Sequence, residues 1–424
     1  MESINAVRGF KDILPEETNR WQRVEQTARE IFARFGFHEI RVPLLEKTEL
    51  FVRGIGESTD IVEKEMYTFP DRGEELLTLR PEATASIIRA YLEHSLFARE
   101  PVSKLYTIGP MFRRERPQKG RFRQFHQIDV EHLGIDSPRV DAEVILMLVH
   151  YLHSVGLDSV HLEINSLGCA ACRPDFKKAI VAFFTDGGEE LCPDCNRRLR
   201  TNPLRIFDCK LDPCRKMVAG APMLSEHLCE TCRVHFSTLR RALDGFSLPY
   251  RVNERMVRGL DYYCRTAFEV TTDRLGAQNA VAGGGRYDGL IRDLGGPDIP
   301  GIGFAIGMER LISLLPDREA DRGKAPDLFI AAVGEEAQEY AYGLCNRLRL
   351  RGIAAETDLG GKSLKSQMKR ADRLDCLYTL ILGEKELAEG NVALRNMQSA
   401  AQTEVSLQGI EESVIDHLRT RWKS

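Results

Sequence analysis

The sequence predicts an α+β domain whose sheet is interrupted by a small cysteine-rich module, followed by a separate α/β domain. Three observations predict this. At 424 residues the chain is too long for one ordinary core, so two or three domains are expected. Eight of its eleven cysteines fall between Cys169 and Cys232, with strand-like segments on either side. Beyond Pro326, strand-like and helix-periodic segments alternate, as in a mostly parallel sheet with crossover helices.

In chain order, Trp21, Val24, Ala28, Ile31, Phe32 and Phe35 recur at helical spacing, and Gly36 stands where a C-cap glycine belongs. A short β-branched segment, Glu39 to Val42, runs into Pro43. Leu105–Glu115 and Phe122–Leu133 read as strands flanking a basic, Gly-containing stretch, Arg116–Arg121, which together make a long hairpin. Strand character recurs at Val160–Asn165, Thr266–Thr271 and Ile302–Ile306. The charged stretch Pro316–Pro326 is the expected linker. Past it come strands Leu328–Val333, Ala354–Thr357 and Leu377–Leu382, with helices Gln338–Arg351 and Leu364–Arg373 between them. The expected domains are 1–165 and 246–318 as two parts of one core, 166–245 as the inserted module, and 326–424 as the last domain.

Hydrophobic content of 43% and charged content of 29% describe a globular protein, and no apolar run reaches the length of a bilayer span. The polar start carries no apolar stretch behind a basic tip, so a cytoplasmic location is expected. A net charge of −4 excludes a protein coated in basic residues but not one with a local phosphate-binding patch. One such patch is plain: Arg113, Arg114, Arg116, Lys119, Arg121 and Arg123, with Glu115 the lone acid among them.

Alternation across a strand puts Phe125, Gln127, Asp129 and Glu131 on one face of the second hairpin strand, and His126, Ile128 and Val130 on the other. The first strand groups Met111, Arg113 and Glu115. An ordinary half-exposed sheet would alternate in the same way. Both signs of charge, a planar phosphate donor and a stacking ring on one face point instead to a polar ligand.

The stretch FRRERPQKGRFRQFHQIDVEHLG, Phe112 to Gly134, resembles the second signature motif of class II aminoacyl-tRNA synthetases in its histidyl form. VRGLDYY (Val257 to Tyr263) and GGGRYDGL (Gly283 to Leu290) resemble the two motifs peculiar to histidyl-tRNA synthetases. GIGFAIGMERL (Gly301 to Leu311) resembles the third class II motif, and Phe37–Leu50 around Pro43 the first. The order is the family's. The resemblance implies the class II synthetase fold: an α+β catalytic domain with a mainly antiparallel sheet, here with an inserted Cys-rich module and a C-terminal α/β anticodon-binding domain. It also implies an ATP-dependent ligase that activates L-histidine as histidyl-adenylate and transfers it to tRNA(His), with Mg2+ accompanying ATP.

The resemblance assigns roles residue by residue. Arg258 and Arg113 would be catalytic, Arg258 meeting the histidine carboxylate and the α-phosphate where related enzymes use a metal ion. A fixed cation aimed at developing negative charge is electrostatic preorganisation. Arg113, Glu115, Arg121, Phe125 and Arg310 would bind ATP, the adenine lying between Phe125 and Arg310. Glu82, Ala83 and Thr84 with Gln127 would hold the amino-acid end of histidine; Glu131, Tyr262, Tyr263 and Tyr287 would satisfy its imidazole. A pocket that hydrogen-bonds a polar side chain rejects analogues that would leave it unpaired. Ala83 departs from the family, which has glycine at this place. Arg116, Gln118, Lys119 and Arg123 would meet the tRNA acceptor end. A homodimer with the first motif in its interface is expected.

The cysteine spacing is itself a metal signal. Cys169 and Cys172 with Cys192 and Cys195 have the spacing of a four-thiolate zinc site, and Cys209 and Cys214 with Cys229 and Cys232 could form a second. The pairs could equally interleave, and His227 or His235 could replace a thiolate. Any zinc would be structural, because protein ligands fill every position. In the last domain Lys362, Lys365, Lys369 and Arg373 are spaced for one helix face, suited to phosphates or simply to solvent. Two other readings compete. A regulatory, histidine-binding relative of these synthetases lacks the anticodon domain and has degraded histidine motifs. A zinc-dependent RNA-binding module would explain the cysteines and the basic hairpin but not Arg258, Gly283–Leu290 or Gly301–Leu311.

Overall fold

The computed structural model describes the chain except residues 1–2, 58, 118–119, 187–190, 276–278, 319–320, 322, 324 and 423–424, and the side chains of 186 and 420–422. It divides into two compact units, 1–321 and 322–424.

The first unit contains strands β1 (His38–Glu39), β2 (Leu45–Lys47), β3 (Tyr67–Pro70), β4 (Leu76–Leu79), β5 (Ser103–Phe112), β6 (Gln124–Leu133), β7 (His161–Ser166), β8 (Arg251–Val252), β9 (Cys264–Thr271), β10 (Ala280–Arg286) and β11 (Gly301–Gly307). Eight form one sheet in the order β1-β5-β6-β11-β10-β9-β7-β8. Its inner pairings are antiparallel, and only the short edge strands β1 and β8 pair parallel. Strands β2, β4 and β3 make a small antiparallel sheet of their own.

The first helix, Pro15–Arg34, begins where Pro15 presets φ and Glu16 and Glu17 oppose the helix dipole. Trp21, Val24, Ala28, Ile31 and Phe32 are its buried face, and Gly36, at φ +79°, turns the chain out of it. This helix and Pro138–Val155 cover one face of the sheet, where Phe32, Tyr151, Ile128, Val130 and Phe304 share a core. That leaves Gln127, Asp129 and Glu131 on the opposite face, as the alternation predicts.

Two expectations need correction. The first hairpin strand ends at Phe112, not Glu115: Arg113 pairs by its N–H with the Arg123 carbonyl, and the Arg114 N–H turns to the Glu65 carbonyl. Strand β10 was not expected at all, because its glycine run has little strand propensity. Its glycines are there for close approach: a Cβ on Gly284 would overlap the Gly303 carbonyl, and one on Gly283 would lie 2.6 Å from the Arg258 guanidinium.

Between β7 and β8 the module's regular elements are all helices among its described residues. Helices Arg173–Asp186, Pro193–Thr201, Asp212–Ala219 and Glu230–Gly245 are joined in part by 3-10 turns Pro203–Asp208 and Leu224–His227. Its apolar residues Phe176, Ile180, Leu191 and Ile206 continue into the core around Tyr263 and Tyr287.

The second unit has strands β12 (Leu328–Val333), β13 (Ala355–Thr357), β14 (Tyr378–Gly383), β15 (Asn391–Asn396) and β16 (Gln402–Ser406), ordered β13-β12-β14-β15-β16. Pairings of β12 with β13 and β14 are parallel, and β15 and β16 add antiparallel. The sheet is therefore mixed rather than mostly parallel. Lys365, Lys369 and Arg373 are exposed on helix Leu364–Arg373, with exposed Lys362 just before it.

Candidate active site and cysteine clusters

A cavity of about 310 Å³ opens on the polar face of the large sheet. Of the residues singled out in the sequence, Glu82, Thr84, Arg113, Glu115, Arg121, Phe125, Gln127, Arg258, Tyr262, Tyr263, Tyr287 and Arg310 line it. They come from five separated segments, which the sheet brings together.

At one end, Glu131 is buried and accepts hydrogen bonds from the Thr84 hydroxyl (2.6 Å) and from Tyr287. Tyr262 lies against Tyr263 (ring centroids 4.6 Å apart) and edge-on to Tyr287 (5.7 Å). Glu82 accepts from the backbone N–H groups of Thr84 (3.1 Å) and Ala85 (2.9 Å) at the start of helix Thr84–Glu93. Burial raises Glu82 above the usual carboxylate range and Glu131 well above it, and the hydrogen bonds oppose that rise only in part.

In the middle, Arg258 donates to Glu269 (2.6 Å), and its guanidinium stands 5.8 Å from the centre of the Tyr263 ring. At the other end Arg113 donates to the Pro81 carbonyl (2.9 Å) and lies 5.2 Å from the Phe125 ring centre. Glu115 pairs with Arg121. Arg310, at the start of helix Met308–Leu314, donates to the Ala280 carbonyl (2.8 Å). The cavity thus has a buried acid-and-tyrosine end and an arginine-rich, ring-walled end.

Four sequence candidates are placed differently. Ala83 is fully buried, but its methyl packs with Val42, Ile87 and Met111 instead of facing the cavity. Arg116 is exposed outside the cavity beside Glu65 and Pro117. Arg123 is tied to the Glu115 and Arg8 carbonyls behind the loop. Glu131 sits behind the lining, reached through Thr84 and Tyr287. Gln118 and Lys119 lie outside the described residues.

Two of the lining acids, Glu269 and Asp129, carry no role assigned from the sequence. Glu269, the partner of Arg258, is the one acid in β9, whose other residues besides Arg265 are apolar or threonine, a signal that was legible. Asp129 shares the Gln127 face and has a buried oxygen with no hydrogen-bond partner. Burial, then the neighbouring Glu82 carboxylate, pushes it up to about 8.

The eight module cysteines form two groups: Cys169, Cys172, Cys229 and Cys232, and, nested inside them in sequence, Cys192, Cys195, Cys209 and Cys214. Within each, the sulfurs lie within 4.8 Å of one another. The pairs therefore nest, and the consecutive pairing considered from spacing does not occur. Neither histidine joins them: His235 is buried against Asp141 (2.9 Å), and the His227 ring packs beside Phe176. Neighbouring separations of 3.6 and 3.9 Å match the edge of a tetrahedron with zinc–sulfur bonds, about 3.8 Å. Backbone N–H groups of Cys192, Cys195 and Cys229 point at thiol sulfurs, as suits sulfurs carrying negative charge.

A model of the family described as histidyl-tRNA synthetase matches residues 9–171 and 197–311, and one described as an anticodon binding domain matches 327–417. The histidine–tRNA ligase of Geobacter sulfurreducens is 56% identical over 404 residues, covering 95% of this chain and 97% of its own. That of Syntrophotalea carbinolica is 52% identical over 417 residues, covering 98% and 99%. The crystal structure of apo S. aureus histidyl-tRNA synthetase superposes with a TM-score of 0.82 at 37% identity, over 97% of this chain and 100% of that one. With the matched segments carrying the cavity and near-complete overlap with these relatives, the chain belongs to the histidyl-tRNA synthetase family.

Proposed function

We propose that this chain activates L-histidine with ATP, forming histidyl-adenylate and releasing pyrophosphate, and then transfers histidine to the 3′ end of tRNA(His). The observation that carries this reading is the two-ended cavity. A closed set of hydrogen-bonding groups (Glu131, Thr84, Tyr287) stands at one end, arginines and an aromatic ring at the other, with Arg258 between.

Histidine binds with its imidazole at the acid-and-tyrosine end, among the Tyr262, Tyr263 and Tyr287 rings, with Glu131 holding Thr84 and Tyr287 in place from behind. Glu82 receives the α-ammonium and Gln127 the carboxylate end. ATP lies along the other end with adenine between Phe125 and Arg310, Glu115 near its amino group, and its α-phosphate at Arg113. The histidine carboxylate oxygen attacks the α-phosphorus, forming the mixed anhydride as the bond to pyrophosphate breaks. Arg258 and Arg113 stabilise the charge that builds on the α-phosphate oxygens. Glu269 holds Arg258 in place. Mg2+ would accompany the triphosphate; of the carboxylates lining the cavity, Glu115 and Glu269 are paired with Arg121 and Arg258.

Arg116 and its basic neighbours contact the acceptor end of the tRNA, and the second unit, which matches an anticodon-binding domain, contacts the anticodon. The same match disfavours the regulatory relative, which lacks that domain. The exposed apolar residues Leu44, Leu45, Phe69 and Leu76 on and beside the small sheet suit burial in a homodimer. Each cysteine group holds one structural zinc, tying separate helices of the module together. Charging of purified tRNA with radiolabelled amino acids tests the function. Only histidine should be attached, and only to tRNA(His); no charging by folded, ATP-binding protein would overturn it.

A further inference from the structure

The segment between the inner cysteines grips the active-site loops at several points. Cys192 caps helix Pro193–Thr201, and Cys209 directly follows the 3-10 turn Pro203–Asp208. From within this stretch Arg205 donates to the Gly259 carbonyl (2.6 Å) and to Asp261 (3.2 Å), and Asn202 also donates to Asp261 (2.9 Å). Gly259 directly follows Arg258. Arg198 reaches Asp60 (3.1 Å), and Arg197 reaches Glu63 (2.6 Å) in the turn whose Glu65 carbonyl receives the Arg114 N–H. On its far side Asp261 packs against Gly56, where φ is +105° and an added Cβ would come within 2.9 Å of the carboxylate. The outer cysteines instead stand at the starts of the two long module helices, Arg173–Asp186 and Glu230–Gly245, and touch the loop through Arg173, which donates to the Tyr263 carbonyl.

We propose that the inner four-thiolate zinc site is a clamp on the catalytic loop, and that Arg205 is the positioning residue through which it holds Arg258. Four sulfur bonds fix a short stretch of chain whose own buried apolar residues are few. That stretch lends its rigidity to the loop 257–263 through one buried guanidinium. Losing the inner metal leaves every substrate-touching side chain present but frees the backbone that aims Arg258. The cost falls on turnover more than on binding, because Arg258 acts where charge develops.

The inference rests on the proposed adenylate chemistry, so the test includes readings independent of activity. Full-length protein is compared with Arg205→Ala, with Cys209→Ser/Cys214→Ser, and with the three changes combined. Zinc per chain, hydrogen–deuterium exchange of peptides spanning 257–263, and histidine-dependent pyrophosphate exchange are measured on each. Two zinc ions are expected in the full-length protein and in Arg205→Ala, and one in the cysteine variant. Loop exchange should quicken about tenfold in both, and kcat should fall roughly tenfold with KM for histidine and ATP within twofold. The combined variant should be no worse than the cysteine variant alone, since both changes break one linkage. Arg205→Ala keeps all eight thiols, so it stands even if the cysteine variant misfolds. Unchanged loop exchange in Arg205→Ala, or losses that multiply in the combined variant, would overturn the clamp. So would two zinc ions retained after Cys209 and Cys214 are replaced. Absence of pyrophosphate exchange in the full-length protein would overturn the proposed function, with loop exchange and zinc content still deciding the clamp.

Discussion

The cavity and the cysteine module solve the same problem, holding polar groups in place, by opposite means. The cavity's residues are far apart in sequence and are fixed by a sheet with a deep apolar core on its other face. The module's residues lie in one stretch of chain, its helices are joined by short turns, and its apolar side chains share one core with Tyr263 and Tyr287. Where a large core exists, buried acids such as Glu82, Asp129 and Glu131 can be carried at a cost to stability that the rest of the sheet offsets. In the module, the proposed zinc sites would add cross-links to that shared packing.

Four changes would break or sharpen that contrast. The largest effect is expected from Arg258→Ala, which should lower kcat for histidine activation by about 10³-fold while leaving the melting temperature nearly unchanged. Steady-state pyrophosphate exchange and a thermal melt check both halves. Next is Glu131→Gln, which keeps the shape but removes an acceptor facing Thr84 and Tyr287. KM for histidine should rise roughly 100-fold with kcat less affected, as initial rates over a histidine titration would show.

In the module, Cys229→Ser/Cys232→Ser should remove one zinc per chain and lower the melting temperature by roughly 5–10 °C. Metal analysis with calorimetry reads this, and an unchanged melt would mean that apolar packing alone holds the module. The smallest effect concerns Asp129. Its folded form, raised to about 8, keeps a proton that the unfolded chain releases near its ordinary value of 3.8. Its contribution is therefore full below about pH 4 and is lost as pH rises through about 8. Asp129→Asn should leave the melt unchanged near pH 4 and raise it by a few degrees near pH 8. A lower melt at pH 8 would contradict the desolvation that raises Asp129.

Much of the site was legible because alternation along Phe125–Glu131 and short motifs around Arg258 and Arg310 report faces and chemistry directly. Helix Leu364–Arg373 was legible from periodicity alone. Other features depend on partners that sequence does not show. The glycines of β10 give no strand signal until Gly303 and Arg258 are seen pressed against them. Ala83 stands in a binding motif, yet its methyl is turned into the core. Cysteine spacing announces metal, but nesting depends on which helices pack, and spacing within a pair carries no such information. Strands β15 and β16 turned a parallel expectation into a mixed sheet because nothing in their composition fixes their direction.

The central claim is that the two-ended cavity makes an adenylate from histidine and no other amino acid. ATP–pyrophosphate exchange, run without tRNA on the purified full-length chain with each amino acid in turn, tests it most directly. Exchange above background with histidine alone is the predicted result. Exchange with another amino acid at a comparable rate, or none with histidine from folded protein that binds ATP, would contradict it.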